Sequence, residues 1–498
     1  MQFKNFSNGF RRNHIDINSL SAGQNIELLN TPYGRNIHMA NGNECLHQIN
    51  GEQIIGGFDY VKGDIHHHLI FTLTSTESKA YLLVGTTATL IKSGMSASAR
   101  FFNGVNYNNG AFITNGIDAP FFYEYGATPA VIDVNAYSYT SQAIRGLSVK
   151  VFDNRIFMGS GSGLYSCGLG DWNDWSSSTV EDTRAGYIKN FMNSSATILA
   201  IETYKSSLII HRTFDTVWLS GTSGSYEMKV ISNVGAVNPF AVSNLDKFQA
   251  YFLYHPNGIG LYNLTANALG IIEPDSEFST YIHEEFATID TTRLNEIYLI
   301  TDTKKNEIRV HIPKTDYPSN SYWLIYNLSG KFFHLPRVTQ PILSVWIYNG
   351  NIYTGTTDGK ILKEDINKTF DGTDITFKAD TSAMDFDSLE PKECDEYCQF
   401  IVDSRRQNKF NMSFIANDNE QYMVTFEIEQ VPQGCLIFAP NDSVTDLKYM
   451  FGQNFATEAP MIFKDGKPEQ FNTLKVRFSG TGGDIGLYNL ELPPVVLA

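Results

Sequence analysis

A short phrase recurs along this chain and constrains its fold more than any other feature. Val345–Gly355 reads VWIYNGNIYTG: a strand, a tight turn and a returning strand in 11 residues. Asn349-Gly350 supplies the turn, because a type I′ hairpin needs positive φ at both central positions and Asn-Gly tolerates that best. Branched and aromatic residues flank it (Val345, Trp346, Ile347, then Ile352 and Tyr353), as a pleated and largely buried surface prefers. The same phrase stands at Val149–Gly159 (VKVFDNRIFMG), with Phe152 before the turn, Asp153-Asn154 in it, Ile156-Phe157 after it and Gly159 closing. A third, looser copy is expected to turn at Phe102-Asn103-Gly104, with Tyr107 as the returning aromatic. One recurring hairpin implies one recurring structural unit.

Strand signals are regular from about Ile65. Leu69–Leu73, Tyr81–Val84, Ser207–Gly221, Tyr251–Tyr262 (turning at Pro256-Asn257-Gly258), Ile297–Ile312 (turning at Lys304–Asn306) and Tyr322–Phe333 (across Ser329-Gly330) all read as strands or hairpins. Taking one turn per unit places marks near 85, 116, 161, 215, 257, 304 and 357. Propeller blades of four-stranded sheet repeat at roughly 40 to 50 residues. Packing twisted antiparallel sheets radially, face to face, covers their faces and leaves only short edges. The expected fold is all-β: a six- or seven-bladed β-propeller at 62–368, followed by a β-sandwich at 369–498. Phe410–Ile415 and Thr425–Glu429 in the latter alternate apolar and polar, around a loop at Asn417–Glu420. Its last strand is expected near Ile485–Leu492, stopped by Pro493-Pro494. Residues 1–61 show weak periodicity and read as an extended arm completing or docking on the propeller, a flexible tail being the plainer reading. A run of meanders in one or two sandwiches is the other architecture this pattern allows.

Composition narrows the function. Charged residues are 18% of the 498 and the net charge is −16, which argues against a protein that grips DNA phosphates with a basic face. It leaves room for a local basic patch, or for a wall along which DNA slides. With 26 Tyr and 34 Phe the composition is of β type. Five cysteines, at 45, 167, 394, 398 and 435, are too scattered for a disulfide framework. No apolar run has signal-peptide length or approaches a membrane span, so the expectation is a reduced chain made in a cytosol.

Candidate chemistry is sparse. In His66-His67-His68 only His66 and His68 can share a strand face, and no third ligand stands at useful spacing, so a polar rim strand or loop is preferred to a metal site. Cys394 and Cys398 form C-x₃-C without the second pair that zinc requires. His283-Glu284-Glu285 is not H-E-x-x-H. Asp171-Trp172-Asn173-Asp174-Trp175 imitates a sugar site, yet such Trp residues more often plug a blade or an interface. Gly159–Gly163 and Gly480–Gly483 lack the following helix and Lys-Ser/Thr of a phosphate loop. Arg11-Arg12 and Arg405-Arg406 read as solvated or interfacial pairs. No residue is assigned a catalytic, cofactor-binding or metal-binding role, and the chain is not expected to be an enzyme.

Four stretches carry a family resemblance: FFNGVNYNNGAFITNGIDAPFFYEYG, VFDNRIFMGSGSGLYSCGLGDWNDWSS, ISNVGAVNPFAVSNLDKFQAYFLYHPNGIGLYN and VWIYNGNIYTGTTDGKIL. Their order over about 95–365 resembles the tail nozzle, or tail hub, proteins of short-tailed bacteriophages, including those called phage stabilisation proteins. The resemblance implies a structural virion protein in the phage tail. It implies a ring, usually of six copies, below the portal and its adaptor, in contact with tail fibre, spike or tip-plug proteins. The ring closes the tail channel, retains the genome and lets DNA leave as passing cargo. Acidic loops such as Glu390–Glu396 are then candidates for the gate. A carbohydrate-binding or glycoside-hydrolysing propeller of a phage or bacterial surface is the alternative, and would show a central funnel with two or three carboxylates and an aromatic floor.

Overall fold

The computed structural model places the recurring phrase as its turn chemistry requires. Tyr348 pairs with Asn351, and Asn349 and Gly350 take φ of 46° and 63°. At the earlier copy Phe152 pairs with Arg155 across Asp153 and Asn154, at φ of 49° and 52°. The third copy turns elsewhere. Asn103-Gly104 lies inside the strand Asn103–Tyr107, and the turn is Asn108-Asn109, with Tyr107 opposite Gly110. Gly104 serves close packing: a Cβ there would stand 2.5 Å from Ile113 Cδ1.

The structure describes residues 2–4, 20–31, 34–126, 129–136, 143–175, 186–188, 196–222, 225–245, 249–254, 260–266, 272–275, 282–317, 319–384, 392–394, 397–403, 409–420, 423–431, 435–440, 456–462, 472–482, 485–491 and 495–497. They fall into two compact units, one of 45–321 and 340–364, the other of 1–44, 322–339 and 365–498.

The first unit is a β-propeller. Seven innermost strands follow one another among the described residues: Gln53–Lys62, Asn103–Tyr107, Ser148–Phe152, Ile198–Tyr204, Val242–Leu245, Tyr298–Asp302 and Ser344–Tyr348. The first five open four-stranded antiparallel meanders, and the sixth opens a sheet through the hairpin with Glu307–Ile312. The seventh sheet takes Asn351–Gly355 and Lys360–Glu364 from the end of the unit and its outer strand, Asn43–Gln48, from the beginning. Apolar side chains fill the gaps between sheets. Phe71 and Leu69 of the first meet Ile113 and Tyr123 of the second. Phe112 and Phe122 of the second meet Val149 and Met158 of the third. The ring closes where Ile54, Ile70 and Leu83 of the first sheet pack on Trp346, Tyr353 and Ile361 of the seventh.

The expected blade number of six or seven is therefore resolved as seven, but the expected boundary at 62 is displaced. Gln53–Lys62 belongs to the first blade and Asn43–Gln48 to the last. A register shift between Ile54 and Gly56 interrupts the alternation that marks a strand, which is why QIIGGFDY was hidden in the expected arm.

The second unit contains two six-stranded antiparallel sheets, and the N-terminal residues are built into both. Leu20–Gln24 pairs with Thr376–Thr381, which continues through Leu474–Thr481, Lys409–Ala416, Met423–Val431 and Cys435–Pro440. Ile26–Thr31 and Gly34–Met39 form a hairpin on Gly486–Glu491, which continues through Tyr397–Asp403 and Ala456–Ile462. The expected arm is thus sheet in large part: its apolar residues Leu20, Ile26, Leu28 and Ile37 are buried, and pairing with strands more than 300 residues away satisfies its backbone. Arg337 is fully buried and answered by Glu27 at 2.5 Å and Asp365 at 3.0 Å, and Leu28 N–H donates to His334 Nδ1 at 2.9 Å. Within this unit the segments at Gly42 and Ile366-Asn367 are paired, since Gly42 N–H donates to Asn367 O at 2.6 Å and Ile366 N–H to Gly42 O at 3.2 Å. Gly486–Glu491 is not the last strand: Val495–Leu497 follows the two prolines and pairs with Lys392–Cys394.

Gly57 is where the propeller seam is tightest. A Cβ there would lie 2.3 Å from the Trp346 indole. Gly57→Ala should lower stability by about 1–3 kcal/mol by overpacking, measured as a reduced urea midpoint with unchanged slope.

Candidate functional site

The innermost strands converge on a cavity of about 110 Å³. Asn103 of the second blade, Glu202 of the fourth, Phe240 and Val242 of the fifth, Tyr298 of the sixth and Val345 of the seventh line it, so it lies on the propeller axis. Phe101, in the connection between the first two blades, reaches Phe240 with ring centroids 5.3 Å apart, and Phe240 meets Tyr298 at 5.6 Å. The Tyr298 hydroxyl donates to Leu343 O at 2.6 Å and is fixed by it. Glu202 is paired with Lys150 Nζ of the third blade at 3.1 Å. Burial pushes the Glu202 carboxyl up, while the Lys150 ammonium pulls it down. At roughly 30 Å³ per water the cavity has room for about four waters or one very small ligand. A sugar ring and the two carboxylates of a glycosidase do not fit there, and the one carboxylate in the lining already has a cation.

The histidine run lies in the strand Ile65–Leu73, at the seam between the seventh, first and second blades. Its alternation is as expected, but its environment is not a polar rim. His66 Nδ1 is 2.8 Å from Asp59 Oδ2, and Asp59 also accepts the Asn349 N–H at 2.8 Å. His67 faces the other way, with Nδ1 2.6 Å from the Tyr123 hydroxyl. His68 is 1% exposed, stacked on Tyr348 with centroids 3.9 Å apart, and accepts the Trp346 indole N–H at 2.8 Å. A histidine can be buried when an aromatic partner takes its polar atom, and the partner of His68 is 278 residues away in the chain. Among the described residues no group of three or more His, Cys, Asp or Glu could hold a metal ion.

The remaining candidates are structural where they are described. Trp172 stacks on Phe122 at 4.2 Å with parallel planes, and Trp175 packs on Phe112, so DWNDW plugs the gap between the second and third blades. Glu285 and Lys314 form a buried pair at 2.5 Å, with His283 exposed beside it. Gly161 takes φ of 57° in a hairpin turn, and Gly480 packs under Phe377. Cys394 and Cys398 lie on described strands, but their side chains, with Arg11-Arg12, Arg405-Arg406, Gly483 and most of Glu390–Glu396, lie outside the described residues. Sequence reading did not single out Lys150, Glu202 or Phe240. A charged residue inside an apolar innermost strand, such as Glu202 in ILAIETY, was the available signal.

No family model and no curated protein matches this sequence. Solved structures similar to the chain include BamB from Moraxella catarrhalis, at 11% identity over 70% of this chain and 97% of its own, with a TM-score of 0.39. The Pan2 WD40 domain of Neurospora crassa aligns at 8% identity over 66% of this chain and 97% of its own, with a TM-score of 0.37. YCF48 bound to D1 peptide aligns at 9% identity over 69% of this chain and 96% of its own, with a TM-score of 0.38. The propeller assignment rests on the strand pairings and interblade packing above.

Burial holds His68 and His211 down at about 3 and His311 at about 4. An unfolded histidine takes up its proton near 6.5. The unfolded chain therefore binds protons that the folded one refuses, so this stability is complete above about 6.5 and is lost as the pH falls toward the folded values. The urea midpoint should decline from pH 6.5 to 5, and His68→Gln, which keeps an acceptor for Trp346, should flatten the decline. A pH-independent midpoint over that window would contradict the assignment.

Proposed function

We propose that this chain is a structural component of a phage tail, one subunit of the nozzle or hub ring below the portal and adaptor. The observation that carries the reading is the narrow centre of the propeller. Phe240, Tyr298 and Glu202 line a cavity of only about 110 Å³ there, where an enzyme would need a wider funnel. A propeller with so small a centre leaves mainly its outer surfaces for contact with neighbours. The order of the four resembling stretches and the net charge of −16 support the same reading. An acidic wall does not trap a passing polyanion, because it offers few cations to displace the counterions of DNA. In this proposal six copies enclose the channel between subunits, DNA passes only as cargo, and adaptor, fibre or spike, and tip-plug proteins are the partners.

A carbohydrate-active propeller is less well supported. Both tryptophans of DWNDW are stacked inside an interblade gap, and the cavity lining has one carboxylate.

Mass photometry and electron microscopy of the purified chain, alone and with an adaptor ring, test the proposal. Closed rings of six, or monomers that become rings on the adaptor, are expected. A chain that stays monomeric with the adaptor and degrades a surface polysaccharide would overturn it. If Glu390–Glu396 gates the channel, neutral substitutions of its acidic residues should leave rings intact and change genome leakage from particles; unaltered leakage removes the gate assignment.

A further inference from the structure

We propose that the axial cavity is a binding site for a small organic ammonium ion. The inference is independent of the ring. It starts from the kinds of group the innermost strands bring together: a carboxylate from Glu202, an amide from Asn103, aromatic rings from Phe240 and Tyr298, and aliphatic walls from Val242 and Val345. A carboxylate beside aromatic rings in a small, half-open cavity recognises quaternary and other weakly hydrated ammonium ions, through charge and through the ring quadrupoles. The other ligand classes fit less well. An anion meets the charge of Glu202. A neutral apolar molecule strips water from that carboxylate and returns nothing to it. A divalent metal ion needs more oxygen ligands than one carboxylate and one amide supply.

The size agrees. A cavity of about 110 Å³ is somewhat smaller than the roughly 150 Å³ engineered cavity that takes benzene, so it suits an ion of about five heavy atoms. The geometry is also held in place. Phe101 packs on Phe240, the Tyr298 hydroxyl is tied to Leu343 O, and Lys150 approaches Glu202 from outside the lining, so the carboxylate and the rings are fixed before a ligand arrives. Lys150 already neutralises Glu202 in a pair at 3.1 Å, so a bound ion shares the carboxylate with it and the affinity for a free ion is modest.

The test uses the full chain and tetramethylammonium chloride, with tert-butanol as a neutral molecule of similar shape and potassium chloride at matched ionic strength. Saturation-transfer NMR should show saturable transfer to the ammonium methyl groups and at least ten-fold weaker binding of tert-butanol. Glu202→Gln should weaken tetramethylammonium at least ten-fold. Phe240→Leu, which leaves the Lys150–Glu202 pair intact, should weaken the ion and leave tert-butanol unchanged, and it carries the test if Glu202→Gln does not fold. Absence of saturable binding to the unsubstituted chain, equal binding of the ion and the alcohol, or undiminished binding in folded Phe240→Leu would overturn the proposal.

Discussion

The propeller depends on a seam rather than on any one sheet. A row of sheets has two exposed ends, and only when the seventh packs on the first do both disappear. Here that contact is made by an indole. Trp346 lies against Gly57, where there is no Cβ to hold it off, and its N–H is satisfied by a neutral histidine. The seam is therefore apolar in area and polar at a few points, Ser344 Oγ donating to Ile54 O and Asn349 N–H to Asp59 beside the indole. The apolar area supplies most of the attraction, at about 25 cal/mol per Å² buried. The hydrogen bonds fix the angle at which the ring meets itself. Seating Asn43–Gln48 as the outer strand of the seventh sheet adds a main-chain tie between early and late parts of the chain.

The same arrangement accounts for the contrast between the rim and the centre. Towards the outside, strands alternate between exposed and half-buried residues, as in Ser225–Ser232. Towards the axis the strands converge and leave only a small cavity, bordered by aromatic side chains and one ion pair. Buried charge is tolerated at several points, each time with a partner: Arg309 with Asp302 and Glu307, Lys314 with Glu285, Arg477 with Asp380. Such pairs add little net stability over apolar replacements, but losing one partner is costly, so they favour one arrangement of neighbours over others.

Much of the fold was legible because hairpin turns are local. Asn349-Gly350 and Asp153-Asn154 declare their turns through the φ they accept, and the blades follow from the spacing. The misreadings share a cause. Asn103-Gly104 has turn composition but packs as strand, because Ile113 needs the space of a missing Cβ. The N-terminal residues seemed irregular because their sheet partners lie at the other end of the chain. His68 seemed polar because its burial depends on Trp346 and Tyr348. The axial residues were less legible still: nothing local in Lys150, Glu202 or Phe240 says that seven strands will bring them to one centre.

The strand partners of the N-terminal residues bear on when the fold can be completed. Leu20–Gln24 pairs with Thr376–Thr381 and Gly34–Met39 with Gly486–Glu491. Contacts so far apart in sequence cost loop-closure entropy before they return anything. During synthesis these early strands therefore wait, with their main-chain groups in water, until residues beyond 376 have been made.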